Sequence, residues 1–389
     1  LAFVSREQYA EIMRQARRVV VKIGTSSLTY ATGKLNLAQM ERLVRDLSDV
    51  FNQGRELVVV SSGAVGAGIG KLGLKRRPKT IPEKQAVAAV GQGILMHIYE
   101  KLFAEYSQTV AQVLLTRGDL VERRSYVNAR NALLTLLEFN VIPIVNENDT
   151  VAIEGLKFGD NDTLAALVAG LIDADVLIIL SDIDGLYTED PRANPGARLI
   201  PVVEEITPEI EQLAGGPRSE MAQGGMVTKL QAARIAGSSG VFTVVAKSQE
   251  PQIVRRLLSG EALGTLFLPA KRKLDSRQRW IAFGSPVQGM LVVDEGAAEA
   301  LLSRGKSLLP SGIIGVEGNF EAGHVVKVVN ASGQEIARGI TNYSSGAIEK
   351  IRGHKTSEIA DILGYKVFDE VIHRNNLTIT CAFEDKILS

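Results

Sequence analysis

Val19-Val20-Val21-Lys22-Ile23-Gly24-Thr25-Ser26-Ser27 reads as a buried strand that runs straight into a turn of glycine and hydroxyl residues, with one cation set inside the apolar run. An ammonium is costly in such a place unless an anion accompanies it. Gly24 lets backbone N–H groups come close to that anion, so a phosphate would satisfy the lysine and the turn together. A lysine at a strand end more commonly keeps its head in water, but the buried run weakens that reading here. A second lysine stands in a similar setting: Gly224-Gly225-Met226-Val227-Thr228-Lys229-Leu230 opens an alanine-rich helix whose first N–H groups favour negative charge. The phosphate-binding P-loop pattern is absent. Gly305-Lys306-Ser307 has Ala300 where its first glycine belongs, and Gly70-Lys71 is followed by Leu72, so another nucleotide-binding architecture is implied.

Outward from this strand, Leu57–Val60, Val110–Leu115, Val141–Val145, Val176–Leu180 and Val241–Val245 are further short β-branched runs. Between them lie helical patterns: Leu37, Met40, Val44, Leu47 and Phe51; then Val87, Val90, Ile94, Ile98 and Leu102 behind Pro82; then Tyr126 to Phe139. The alternation predicts an α/β fold with a largely parallel central sheet sandwiched by helices. In such sheets ligands bind beyond the carboxyl ends of the strands. The polar turns Gly24–Ser27, Ser61–Gly70, Asn146–Asp149 and Ser181–Tyr187 all fall there, which predicts one shared cleft.

With 389 residues the chain exceeds a typical single core. The texture changes at residues 269–279, which are basic and poor in apolar side chains and read as a linker. Expected divisions are an N-terminal extension at 1–16, a catalytic domain at 17–268, a small β-rich barrel at 280–374 and a tail at 375–389. The barrel is predicted from Gly289–Val293, Gly312–Val316, Val325–Val329 and Ile336–Ile340, short strands separated by glycine turns. Forty-four basic residues balance forty-four acidic ones, which argues against a global pull toward nucleic acid or anionic lipid. The lone Cys381 and four scattered histidines leave no zinc spacing and fit a reducing cytoplasm. No apolar stretch approaches the ~20 residues of a membrane helix.

Three further stretches carry chemistry. Ser61-Ser62-Gly63-Ala64-Val65-Gly66-Ala67-Gly68 places a serine beside free N–H groups, which suits carboxylate oxygens. The overlapping Gly68-Ile69-Gly70-Lys71-Leu72-Gly73 matches the dinucleotide fingerprint only formally, because Pro82 and Glu83, not a second strand, lie ahead of the next long element. Asn146-Glu147-Asn148-Asp149 and Lys157-Phe158-Gly159-Asp160-Asn161-Asp162-Thr163 form the densest polar region. Asp160 or Asn161 would cap the helix through Leu164 and Leu171, yet a cap explains one residue and not six. Asp149 suits a substrate ammonium, Asn161 a carboxylate, and Asp162 could hold two lysines in place. Ser181-Asp182-Ile183-Asp184-Gly185 is either an ordinary Asp-rich turn or a nucleotide contact at a strand end.

Taken in order, Val21–Thr25, Ser61–Gly68, Asn146–Asp149, Phe158–Asp162, Ser181–Tyr187 and Gly224–Lys229 resemble the glutamate 5-kinases of the amino-acid kinase family. Trp280-Ile281, Gly289, Asp294, Gly305–Pro310, Gly312-Ile313 and Gly318–Phe320 resemble the PUA domain that follows the kinase in that group. The resemblance implies an amino-acid kinase fold with a C-terminal PUA-like barrel, and ATP with Mg²⁺ as co-substrate and cofactor. It implies that Lys22, Lys229 and Asp162 are catalytic, that Lys22, Ser181, Asp182, Gln223, Gly224, Gly225, Met226, Val227, Thr228 and Lys229 bind ATP, and that Ser62, Asp149 and Asn161 bind L-glutamate. No metal-ligating protein residue is implied. Ala222-Gln223 stands where the family usually has Gly-Thr, and Thr378–Ser389 runs past the family's usual ending.

The implied reaction makes L-glutamyl 5-phosphate, the first step toward proline, in a cytoplasmic homo-oligomer with proline as feedback inhibitor. No reductase domain follows the kinase in this chain, so a separate glutamyl phosphate reductase is expected as the pathway partner. Two alternatives stand beside it. One is another amino-acid kinase, acting on acetylglutamate or aspartate; the other is an RNA-binding role for the PUA-like domain with Lys271, Arg272, Lys273, Arg277 and Arg279.

Overall fold

A computed structural model of the chain describes residues 5–30, 32, 34–152, 160–191, 193–194, 196–215, 225–270, 278, 281–282 and 286–380. The chain forms two units, Leu1–Lys273 and Leu274–Ser389.

The first unit is built on eight strands: β1 (Arg18–Ile23), β2 (Glu56–Ser61), β3 (Val110–Leu115), β4 (Ile142–Glu147), β5 (Val176–Ser181), β6 (Val202–Val203), β7 (Phe242–Lys247) and β8 (Thr265–Phe267). They lie in the order β3-β4-β2-β1-β5-β7-β8-β6. β1 pairs in parallel with both β2 and β5, and among the described residues only the β7–β8 strand pair in this sheet is antiparallel. Every strand predicted from the sequence is present. The two that were not foreseen, β6 and β8, are two and three residues long, too short for an apolar run to register.

Side chains alternate across β1. Val19, Val21 and Ile23 join one core cluster with Met40, Leu43 and Leu47 of helix Leu37–Asn52 and Leu95, Tyr99 and Phe103 of helix Ile81–Ala104. Lys22 belongs to the other set, on the side of helix Asn161–Leu171, which packs on β1, β2, β4 and β5. Helix starts follow local chemistry. Thr80 and Glu83 make a reciprocal capping box with Pro82 in the first turn, and Asp160 accepts from the Thr163 N–H to cap Asn161–Leu171; each cap satisfies donors that the helix leaves open. Gly63, at φ +100°, turns the chain from β2 into helix Ala64–Leu72, a conformation that a side chain disfavours.

The formal dinucleotide fingerprint has a packing role instead. A Cβ on Gly91 would sit 1.7 Å from the Ala64 carbonyl oxygen, and one on Gly68 would sit 2.0 Å from that of Val87. Helices Ala64–Leu72 and Ile81–Ala104 therefore touch backbone to backbone. Gly91→Ala is expected to lower stability by about 3 kcal/mol, since neither carbonyl can swing aside as a side chain tip would. A thermal melt should show the transition falling by roughly 5–10 °C, and a shift under 1 °C would refute the contact.

The second unit holds a five-stranded sheet, β10-β9-β11-β12-β13, from β9 (Gly289–Val293), β10 (Ile313–Glu317), β11 (Val325–Val329), β12 (Glu335–Ile340) and β13 (Leu377–Ile379). Leu291, Val326, Val328, Ile348 and Ile351 centre its own core. The first four strands match the sequence reading. β13 lies where a tail was expected; its three residues pair with β12, a long-range contact that short-range patterning does not reveal. Among the described residues no helix is long and apolar enough to cross a membrane. Leu1–Val4, the cations Lys271, Arg272, Lys273, Arg277 and Arg279, Trp280 and the tail from Cys381 lie outside the described residues.

Candidate active site

Four strands deliver polar residues to one edge of the sheet. Lys22 is the penultimate residue of β1, Ser61 closes β2 ahead of Ser62, Asn146 and Glu147 close β4, and Ser181 closes β5. Two helices point their N-terminal turns at the same edge: Asn161–Leu171 brings Asn161 and Asp162, and Met226–Ser238 brings Thr228 and Lys229.

Asp162 is the centre of the arrangement. Its Oδ1 lies 2.6 Å from Lys22 Nζ and its Oδ2 lies 3.2 Å from Lys229 Nζ. Thr228 Oγ1 is 2.9 Å from Asp162 Oδ2 and 2.9 Å from the Gly225 carbonyl, so its one proton serves two acceptors. All three charged side chains are buried, Asp162 to 1% residual exposure. Burial alone would push the Asp162 carboxyl up; the ammonium groups of Lys22 and Lys229, helped by the Thr228 hydroxyl, outweigh it and hold the group below the usual carboxylate range. Two cations around one anion leave the cluster with an excess positive charge. It is built at a helix N-terminus, where negative ligands are already favoured.

Asn161 heads a second cluster. Its Nδ2 donates to the Ser61 carbonyl at 2.9 Å and to Asn146 Oδ1 at 2.9 Å. Both amide hydrogens are thereby engaged. An amide whose two N–H bonds are committed in this way has only its oxygen left to offer. Asn146 in turn donates to Gln92 Oε1 at 2.9 Å. Ser61 Oγ lies 2.9 Å from the hydroxyl of Tyr99, whose pKa burial raises above its ordinary value, so the phenol stays protonated. Asp160 caps its helix through Thr163, and burial pushes its carboxyl up against the lowering effect of the Thr163 N–H.

The structure thus brings together Lys22, Asp162, Thr228 and Lys229 as one group and sets Asn161 beside Ser61 and Asn146. Ser62 and Asp149 follow the ends of β2 and β4, both partly buried. Ser181 Oγ donates to Asp182 Oδ1 at 3.1 Å, at the end of the strand next to β1. Gly225, Met226 and Val227 form the cap and first residues of the second helix. Gln223 and Gly224 lie outside the described residues. Sequence reasoning missed Gln92 and Tyr99. The signal was there: Gln92 stands among Ala88, Leu95 and Tyr99 on the inward face of a helix, where a polar residue needs a partner.

The sequence pattern of the Amino acid kinase family matches residues 17–247, and that of the PUA domain matches residues 289–363. A protein named Glutamate 5-kinase from Moorella thermoacetica is 56% identical over 367 residues, covering 94% of this chain and 97% of its own. One of the same name from Carboxydothermus hydrogenoformans is 55% identical over 370 residues, covering 95% and 99%. Among solved structures, a carbamate kinase from Giardia lamblia bound to AMP-PNP aligns with TM-score 0.48 and 17% identity over 66% of this chain and 100% of that one. The near-complete coverage by relatives of one name, with both domain patterns in register, shows that the chain belongs to the amino acid kinase family, in the glutamate 5-kinase group that carries a C-terminal PUA domain.

Proposed function

We propose that the chain transfers the terminal phosphoryl group of ATP to the side-chain carboxylate of L-glutamate, giving ADP and L-glutamyl 5-phosphate. The observation that carries this reading is the buried Lys22–Asp162–Lys229 cluster at the carboxyl edge of the sheet. The name shared by the relatives supplies the acceptor.

The chemistry asks little of acids and bases. A glutamate side chain with a pKa near ~4.3 is already an anion at neutral pH, so no residue has to deprotonate the nucleophile. One of its oxygens attacks the terminal phosphorus while the bond to the bridging oxygen breaks and ADP leaves. The obstacle is bringing two anions together, and fixed positive charge in a water-poor site lowers it. Lys22 and Lys229 supply that charge, and Asp162 sets their spacing. Ser181, Asp182 and the residues from Gln223 to Lys229 form the nucleotide side, and Ser62, Asp149 and Asn161 the glutamate side. Among the described residues no three His, Cys, Asp or Glu side chains gather to hold a metal. Mg²⁺ is commonly bound by one or two carboxylates plus substrate phosphates, so in this reading it arrives as MgATP, as part of the substrate.

The finer expectations rest on the family resemblance: a homo-oligomer in the cytoplasm, a separate reductase that consumes the acyl phosphate toward proline, and proline as inhibitor. The decisive assay measures ADP release with and without L-glutamate, with hydroxylamine present to trap the acyl phosphate. Glutamate-dependent ADP with a matching yield of hydroxamate is expected. ADP release that ignores glutamate and yields no hydroxamate would overturn the assignment.

A further inference from the structure

The amides under the acceptor side can run in one direction only. The Glu147 N–H donates to Asn146 Oδ1 at 2.9 Å, and a backbone N–H cannot accept. The Ser61 carbonyl receives Asn161 Nδ2, and a carbonyl cannot donate. These two backbone groups settle which end of each side-chain amide is oxygen. Asn146 then has its NH₂ turned to Gln92 Oε1, and Asn161 has both hydrogens spent. Nothing among the described residues donates to Asn161 Oδ1.

We propose that Gln92 is a positioning residue for acceptor recognition: through Asn146 it locks the Asn161 amide so that Oδ1, and not the NH₂ group, meets the substrate, where it accepts from the ammonium of an α-amino acid. The inference rests on the proposed glutamate phosphorylation and specifies which end of the acceptor Asn161 reads. Gln92 and Asn146 are both buried, so neither amide can turn to water for a replacement partner. Without Gln92 Oε1 the buried Asn146 NH₂ loses its acceptor, which favours displacement or a turn of that amide. A turned Asn146 would set its NH₂ against both the Glu147 N–H and the Asn161 NH₂, and the Asn161 amide would follow.

The test compares L-glutamate with glutarate, the same dicarboxylate without the ammonium, in the full-length chain carrying Gln92→Met. The KM for L-glutamate is expected to rise about tenfold, while the KM for ATP and the inhibition constant of glutarate stay within about twofold. Gln92→Glu restores an acceptor oxygen at the same place and should return the L-glutamate KM to within about threefold of the unaltered chain. Both dicarboxylates are measured on one sample, so a partly unfolded preparation leaves their ratio unchanged; Gln92→Leu gives the same deletion if the Met variant does not fold. Parallel weakening of L-glutamate and glutarate, or an L-glutamate KM within twofold, overturns the proposal. An unaltered chain without glutamate-dependent turnover would remove the functional reading as well, and the hydroxamate assay separates the two failures.

Discussion

Asp162→Ala is expected to reduce turnover by a thousandfold or more and to destabilise the kinase unit by about 3–5 kcal/mol, the range for removing one member of a buried ion pair. The residue separates Lys22 from Lys229 while bonding both, at 2.6 and 3.2 Å. Without it two buried ammonium groups lose the carboxylate that they share. The pH dependence has a definite sign. Because the folded carboxyl titrates below its ordinary value, its contribution to stability is complete above the unfolded value of about 4 and is lost as pH falls through the depressed folded value. The acid limb of the unfolding curve in the unaltered chain should therefore show this loss only below about pH 4, and the variant should lack it. A variant that melts with the unaltered chain at pH 7 and keeps its turnover would remove Asp162 from the centre of the site.

Lys229→Ala should separate chemistry from acceptor binding. Turnover is expected to drop by about 10²–10³, the usual effect of deleting one preorganised group that stabilises transition-state charge, with the KM for glutamate changed less than about twofold. The side chain is buried on the fourth residue of a helix whose leading N–H groups face the same edge. Its removal leaves the Asn161–Asn146–Gln92 cluster intact. Steady-state kinetics with each substrate varied in turn would check this, and an unchanged turnover number would refute the role. A large rise in the glutamate KM with turnover intact would instead place Lys229 on the acceptor side.

Much of this could be read before any coordinates. A short β-branched run that ends in polar or turn residues is a local signal, so β1 to β5 and β7 were legible, as was the lysine set inside such a run. The meeting of Lys22, Asp162 and Lys229 was legible only as a supposition, since they lie 140 and 67 positions apart in sequence. The polarity of Asn161 was not legible at all. Its side chain carries a donor and an acceptor, and which one remains available depends on Ser61, 100 positions earlier, and on Asn146, 15 positions earlier. The glycine pattern around Gly68 did not say what comes close to it, for a related reason. A glycine pattern records that something approaches closely, and here the visitor is a neighbouring helix instead of a pyrophosphate.

Gly91 and Gln92 are consecutive: the first sets how near helix Ile81–Ala104 lies to its neighbour, the second reaches the acceptor amides. A substitution that forces this crossing apart is therefore expected to move Gln92 and the amides it reaches as well. If Gln92 positions the acceptor amides as proposed, a variant altered at position 91 should also differ in how strictly it demands an α-amino group.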